Sequence, residues 1–274
     1  MSKIKNIIKA FVPPIIISSY HWIKTHGVTD DVWSGNYSNW AEVQAKCTGY
    51  NSESILEKVK NSLLKVKNGL AVYERDSVLF DEIQYSFGLL AGLQRAALEN
   101  EAKLCVLDFG GRLGSSYYQN NGFLCSLKEM QWCVVEQTHF VNCGKANFED
   151  EHLKFFNTIE ECMEQNKPNV LLLSGVLQYL EKPSDWIEKF LILEIPYIIL
   201  DRTSFSNSEK DILTLQKVPE SIYTASYPCW FFNEIDLIKE FQKQYTLLLS
   251  FDALDASNLS GSYFKGFILK RKQC

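Results

Sequence analysis

The sequence predicts an α/β fold in which helices cover both faces of a mostly parallel, seven-stranded sheet. From about residue 101 onward, apolar runs of strand length alternate with amphipathic segments of helix length. The last two apolar runs, residues 245–254 and 263–272, have no helix between them, so we expect an antiparallel hairpin at the edge of the sheet. The chain of 274 residues is long enough for this domain over residues 100–274 and for a helical cap over residues 1–99.

The N-terminal segment combines three lysines with an apolar run, as a signal peptide does. Pro13 and Pro14 interrupt the run, no cleavage site of small residues follows, and no apolar stretch reaches the roughly 18 residues of a membrane span. We predict a helical arm that packs on its own protein. The alternative is a basic amphipathic segment that touches the inner membrane surface.

Two amphipathic helices are predicted in the rest of the cap. The first has an apolar face at 4-4-3 spacing, with Gly69 as its C-cap: Ile55, Val59, Leu63 and Val66. The second is expected from about residue 77 to residue 100, with Asp76 or Ser77 as its N-cap. Its predicted apolar face consists of Leu79, Ile83, Phe87 and Leu90.

Between residues 101 and 244 the pattern predicts five strands and three helices. The strands are expected at residues 104–111, 131–137, 152–159, 169–180 and 197–205. The helices are expected at residues 116–129, at 184–191 with Ser184 as N-cap, and at 231–244. The long connection between Phe205 and Phe231 is predicted to be a lid, in which Tyr223, Tyr227 and Trp230 could stack on a sugar-like ring.

Composition limits the compartment and the partners. The eight cysteines include no C-x-x-C pair and no group with histidines at zinc-ligand spacing, so we expect a reducing cytoplasm and no metal site. Cysteines such as Cys105 and Cys133 lie in apolar runs and are expected to be core residues. The net charge of −5 argues against nucleic acid as a partner and leaves a small molecule or a glycan.

A glycine turn after the first strand of the domain is the strongest local motif. The strand residues that end in Asp108 run into Gly110, Gly111 and Gly114, so backbone N–H groups can approach a ligand at the carboxyl edge of the sheet. Glu136 ends the next strand, where a carboxylate can accept hydrogen bonds from both ribose hydroxyls of an adenosine. Together these residues predict a site for a nucleoside cofactor.

The arrangement resembles motif I of the class I S-adenosylmethionine-dependent methyltransferases, a strand followed by D-x-G-x-G-x-G. The resemblance implies S-adenosylmethionine as cofactor, held by Asp108, the three glycines and Glu136. Residues 173–180 resemble the fourth motif of that family, which implies that Ser174 and Gly175 border the cofactor. Segments along nearly the whole chain resemble a bacterial methyltransferase family found among cell-surface polysaccharide genes. This implies O-methylation of a sugar or sugar-phosphate group of a glycan precursor. The N-terminal segment is then expected to contact either the inner membrane or glycan-assembly enzymes.

One residue departs from the motif. Arg112 stands where the family has its middle glycine. Its side chain could crowd the methionine part of the donor, point outward, or bind the donor carboxylate bidentately.

Candidate catalytic residues are few. We select Asp201 at the end of the fifth strand, His139 just after Glu136, and Tyr227 in the predicted lid. An NAD(P)-dependent sugar oxidoreductase or epimerase is an alternative, but it needs a Tyr-x-x-x-Lys pair, and Pro183 stands at that offset from Tyr179. The third hypothesis is a non-catalytic scaffold with a methyltransferase fold, which Arg112 favours.

Overall fold

The computed structural model describes residues 32–47, 53–219 and 225–273, so Tyr223 and the predicted N-terminal arm lie outside it. The strands are β1 (Trp33–Ser34), β2 (Tyr73–Arg75), β3 (Val78–Phe80), β4 (Lys103–Phe109), β5 (Glu129–Val135), β6 (Leu153–Phe156), β7 (Val170–Ser174), β8 (Tyr197–Ser206), β9 (Ile212–Lys217), β10 (Ser226–Asn233), β11 (Tyr245–Asp252) and β12 (Ser262–Arg271). The helices are α1 (Trp40–Gln44), α2 (Glu53–Lys67), α3 (Phe87–Leu98), α4 (Ser115–Leu124), α5 (Thr138–Asn147), α6 (Ile159–Gln165), a 3₁₀ turn (Leu177–Tyr179), α7 (Pro183–Ile192) and α8 (Glu234–Gln242).

The main sheet has five parallel strands in the order β6-β5-β4-β7-β8. β12 pairs antiparallel with β8, and β11 pairs antiparallel with β12 at the edge. The predicted parallel sheet and its C-terminal hairpin are therefore confirmed. Within the described ranges the sheet is larger than the predicted seven strands, because β1, β9 and β10 extend it to ten.

The additional strands correct the prediction of a lid between Phe205 and Phe231. β9 and β10 form an antiparallel pair, and β1 adds to the outer edge of β9. β10 also pairs in parallel with the carboxyl end of β8, at Phe205 and Ser206. This part of β8 extends past Asp201, the last β8 residue that pairs with β7. Tyr227 and Trp230 are therefore strand residues, whose place in the sheet depends on partners more distant than local sequence patterns can register.

Helices cover both faces of the sheet, as predicted. One buried apolar cluster includes residues of α2, α3, α4 and α5, and the other includes residues of α6, α7 and α8. Trp132 is fully buried in the first cluster, and Phe190 is fully buried in the second. α5 and α6 were not predicted from the sequence, since their short segments lack a clear apolar period. No helix in the described ranges is long and apolar enough to cross a membrane.

The first cap helix agrees with its prediction. Ile55, Val59 and Leu63 are buried in the same cluster as the sheet residues. Gly69 has a φ of 70°, and the N–H groups of Gly69 and Leu70 donate to the carbonyls of Val66 and Lys65, which is the Schellman pattern. The cap and the sheet thus share one core, and the boundary between residues 99 and 100 stays a prediction.

The second cap helix was predicted ten residues too early. Asp76 and Ser77 have φ values of 52° and 70°, which form a two-residue turn between β2 and β3 instead of a helix start. α3 begins only at Phe87, and Leu79 and Phe87 are exposed. Because this turn reverses the chain, residues 78–80 form a strand that pairs with β2 and cannot belong to a helix.

A smaller correction concerns α7. Lys182 is its N-cap and Pro183 occupies its first turn, so the predicted cap Ser184 lies inside the helix.

Candidate functional site

The predicted cofactor residues lie at the carboxyl ends of the parallel strands. The strand order reverses between β4 and β7, because β5 and β6 continue on one side and β8 on the other. Open α/β sheets bind ligands in the crevice outside such a switch point. The glycine loop follows β4 at this position, and the segment with Ser174 and Gly175 ends β7 beside it.

The glycine loop is tightly packed. Gly110 and Gly114 have φ values of 74° and 92°, in the region that favours glycine. A Cβ on Gly110 would lie 2.6 Å from the Val176 side chain, and one on Gly111 would lie 2.5 Å from the Asp108 carboxyl group. The backbone N–H groups of Gly111 and Leu113 donate no hydrogen bond to any of the described residues. The loop therefore needs its glycines and presents N–H groups at the switch point.

Asp108 lies beneath this loop and not on its surface. Its residue is 1% exposed, and its carboxylate accepts a hydrogen bond of 2.9 Å from Trp132 Nε1. Its pKa is raised to about 7, chiefly by burial and to a smaller extent by the charges of Glu136 and Asp201, while the Trp132 hydrogen bond opposes the shift. Asp108 can therefore support the loop, but a ligand would reach it only through water or through the loop backbone.

Glu136 follows β5 directly and is half-buried. Its Oε2 accepts a hydrogen bond of 2.5 Å from the N–H of Gln137, at the start of α5. Burial raises its pKa, while this hydrogen bond and the Arg112 charge lower it. Glu136 therefore follows the strand next to the one that precedes the glycine loop, and its role in holding a ribose stays a prediction.

Asp201 is the buried acid on the other side of the switch point. It pairs in register with Ser174 and is 2% exposed. Its carboxylate accepts hydrogen bonds from Ser174 Oγ at 3.0 Å and from Ser86 Oγ at 3.1 Å. Burial raises the pKa of Asp201, and the Arg202 charge partly opposes the shift. A molecule in the crevice would meet the half-buried Ser174 before Asp201.

Arg112 is held by a residue of the cap. Its Nη1 lies 3.0 Å from Oδ1 of Asp76, at the tip of the β2–β3 turn. Arg202 Nη2 binds the other oxygen of Asp76, and Arg202 Nε lies 2.7 Å from Asp255 Oδ2. Burial raises the pKa of Asp76, but the guanidinium groups of Arg202 and Arg112 outweigh it and hold the pKa well below its ordinary value. We call these four residues the Asp76 node.

The backbone at the Asp76 node is strained. Arg112 and Arg202 have φ values of 52° and 53°, in the left-handed region that costs a non-glycine residue about 1–3 kcal/mol. At Arg202 the cause is a β-bulge, because Asp201 and Arg202 together face Gly266 of β12. Ion pairs of partly exposed side chains contribute about 0–1 kcal/mol.

A second acid joins the β2–β3 hairpin by a hydrogen bond to the start of α4, directly after the glycine loop. Glu74 is 2% exposed, and its carboxylate accepts hydrogen bonds from Ser115 Oγ at 2.7 Å and from the N–H of Ser77 at 2.5 Å. Burial raises the pKa of Glu74, and these hydrogen bonds oppose the shift. The sequence analysis did not single out Glu74 or Asp255, and it placed Asp76 at a helix start instead of in these polar contacts. The one available signal was the Asp-Ser pair between two short apolar runs, which is compatible with a hairpin turn.

The other two catalytic candidates lie at different places. His139 is half-buried on the first turn of α5, and its Nε2 is buried without a hydrogen-bond partner in the described part of the chain. Tyr227 is 9% exposed on β10 and packs edge to face on Tyr179, whose hydroxyl donates to Gln216 Oε1. Across the residues that the structure describes, no hydrogen bond or ring contact joins either of them to Asp201.

Comparisons with known proteins give only distant structural likenesses. No protein-family profile and no curated protein matches the sequence. The chain is similar to the N-terminal domain of EvdMO1 with SAH bound, at 13% identity and a TM-score of 0.45, over 78% of this chain and 97% of that one. It is also similar to magnesium protoporphyrin IX methyltransferase from Synechocystis PCC 6803, at 14% identity and a TM-score of 0.45, over 68% and 81% of the two chains. Likeness at this level assigns neither a family nor an activity.

Proposed function

We propose that this chain is an S-adenosylmethionine-dependent methyltransferase that acts on an oxygen of a sugar or sugar-phosphate group in a cell-surface glycan precursor. The observation that carries the proposal is the placement of the Gly110–Gly114 loop and Glu136 side by side at the switch point. In addition, β12 runs antiparallel between β8 and β11. Sheets that bind dinucleotides typically continue with parallel strands, so this hairpin favours the methyltransferase resemblance over the oxidoreductase alternative.

The switch point has the groups that a nucleoside donor needs. Glu136 would accept hydrogen bonds from the ribose hydroxyls, and the N–H groups of the glycine loop would hold the methionine part. Asp108 would act on the donor ammonium through water, because its carboxylate is bonded to Trp132. Ser174 and Gly175, at the end of β7, would line the crevice where the methyl group of the donor lies.

The charge of the site supports a cationic donor. When bound, S-adenosylmethionine supplies a methyl group that its sulfonium has already activated. The buried acids Asp108 and Asp201 have raised pKa values, because burial disfavours their charged forms. A positive charge in the crevice would favour the charged forms of both acids, so these acids would in turn favour a cation there.

A hydroxyl acceptor must lose a proton as it is methylated. Ser174 is half-buried at the end of β7, and its hydroxyl donates to the buried carboxylate of Asp201. We assign Asp201 as the base. The acceptor hydroxyl would pass its proton to Ser174 Oγ while the Ser174 hydroxyl passes its own proton to Asp201, whose raised pKa suits this role. The glycan nature of the acceptor rests on the resemblance to the family found among polysaccharide genes.

Calorimetric titration with S-adenosylhomocysteine tests the donor site. We expect the purified protein to bind it in the micromolar range and Glu136→Ala to lose binding by at least about tenfold, since each tenfold loss is about 1.4 kcal/mol. Glu129→Ala is the matched control, because Glu129 lies at the opposite end of the same strand and pairs with Lys103.

Two results would contradict the proposal. A flat titration of folded wild-type protein would exclude the donor site and favour the non-catalytic scaffold. Equal losses in Glu136→Ala and Glu129→Ala would mean that binding does not occur at the carboxyl ends of the strands.

A further inference from the structure

We propose that Arg112 and Arg202 form a phosphate-binding site, which Asp76 occupies from within the chain and which receives a phosphate group of the acceptor. The assignment to the acceptor rests on the proposed function, but the phosphate site itself does not. The two cations come from distant elements, the glycine loop after β4 and the bulge in β8, and meet on one carboxylate. Each carboxylate oxygen of Asp76 takes one guanidinium, which is how two arginines hold two oxygens of a phosphate group.

The Asp76 node can be reached from solvent. The side chains of Arg112 and Arg202 keep 20% and 22% of their surface exposed, and that of Asp76 keeps 37%. An incoming anion could therefore replace the Asp76 carboxylate without unfolding the surrounding strands. Arg202 would stay oriented in the exchange, because Asp255 binds its Nε and Nη2 at 2.7 and 2.9 Å.

Unused donors flank Asp76 in the sequence. Arg75 Nη1 and Ser77 Oγ are both buried and make no hydrogen bond within the described ranges. Buried donors of this kind are costly and usually have a partner. The charge of Arg75 also lowers the pKa of Asp76, so Arg75 adds to the positive charge near this carboxylate. A phosphate carries more negative charge and more acceptor oxygens than a carboxylate, so it would bind these cations more strongly.

The strained backbone also argues that the two cations serve more than stability. Arg112 and Arg202 both keep the left-handed conformation that favours glycine. Their ion pairs are partly exposed, and pairs of that kind contribute too little to offset such strain. A role in ligand binding explains the strain instead, because Arg202 directly follows Asp201, the proposed base, at the switch point.

The direct test is a calorimetric titration with inorganic phosphate at constant ionic strength. We expect Asp76→Asn to bind phosphate about tenfold more tightly than the wild type, because the ligand no longer competes with a fixed carboxylate. Asparagine tolerates the left-handed turn, so this variant keeps the hairpin. Asp185→Asn, on the exposed start of α7, removes the same charge at a distant position and should bind like the wild type.

A second variant tests the cations without stressing the fold. Arg112→Gly removes one guanidinium and places glycine where φ is 52°, so we expect a folded protein whose phosphate affinity falls by about tenfold or more. Acetate, titrated in parallel, should bind Asp76→Asn at least about tenfold more weakly than phosphate does. Equal phosphate affinity in Asp76→Asn and Asp185→Asn, unchanged affinity in Arg112→Gly, or equal affinity for acetate would each overturn the proposal.

Titration of the wild type with S-adenosylhomocysteine separates this proposal from the proposed function. If the nucleoside binds and phosphate does not respond to Asp76→Asn, only the phosphate site fails. If phosphate responds as expected and the nucleoside does not bind, the site stands, but its assignment to a methyl acceptor fails.

Discussion

At the scale of single residues, the candidate site contains acidic side chains that are buried, although burial disfavours their charged forms. Asp108 and Asp201 are almost fully buried acids on β4 and β8, and each has a raised pKa. Asp108 has Trp132 Nε1 as a hydrogen-bond donor, and Asp201 has two serine hydroxyls. Hydrogen bonds of this kind do not fully replace hydration of a charged group. Asp108 and Asp201 therefore lower the free energy of unfolding by an amount that depends on pH.

That cost predicts a pH dependence for Asp108. Its pKa in the folded state is about 7 against an ordinary value of 3.8, so its burial has no cost below pH about 4 and a growing cost as the pH rises to about 7. We expect Asp108→Asn to gain about 2 kcal/mol of unfolding free energy relative to the wild type between pH 5 and pH 8. Urea unfolding at the two pH values measures this difference.

Asp185→Asn serves as the control for loss of an exposed carboxylate in the same assay. A difference between Asp108→Asn and wild type that stays constant from pH 5 to pH 8 would contradict the assignment of the raised pKa to Asp108.

At the scale of elements, close packing decides where helices can lie on the sheet. Gly144 of α5 is buried, and a Cβ there would lie 2.5 Å from the ring of the fully buried Phe155 on β6. Gly122 of α4 has no heavy atom within 4 Å of such a Cβ and is exposed. The two helical glycines therefore have different roles, which their sequence surroundings do not reveal.

We expect opposite effects from the same substitution at the two glycines. Gly144→Ala should lower the free energy of unfolding by about 1–3 kcal/mol, because α5 must move away from Phe155. Gly122→Ala should raise it by about 0.5–1 kcal/mol, because alanine favours the helix and meets no neighbour. Chemical denaturation of both variants measures the two signs, and a stabilising Gly144→Ala would show that α5 does not pack on β6 as described.

At the scale of the whole molecule, the cap and the sheet are joined through one apolar cluster. Ile55, Val59 and Leu63 of α2 belong to the same cluster as Trp132 of β5. Polar contacts add to this connection, since Glu74 binds Ser115 at the start of α4. The chain should therefore unfold with its cap and its sheet together.

Leu63→Ala tests that cooperativity. Leu63 is fully buried, so we expect a loss of about 2–5 kcal/mol in the free energy of unfolding. The midpoint should shift equally by tryptophan fluorescence, which includes the buried Trp132, and by far-ultraviolet circular dichroism. A fluorescence transition that keeps its wild-type midpoint would mean that the cap unfolds separately.

The sequence by itself determined the parallel sheet, its C-terminal hairpin, the first cap helix and the order of the glycine loop and Glu136 along the chain. These follow from apolar periodicity and from glycine positions, both of which are local. Only the tertiary structure decided that β9 and β10 extend the sheet, that residues 76 and 77 form a turn, and that Asp76 binds Arg112 and Arg202. The physical reason is distance along the chain: the ion pairs of Asp76 join residues 36 and 126 positions apart, and β10 pairs with β8 across the whole of β9, which no local pattern encodes.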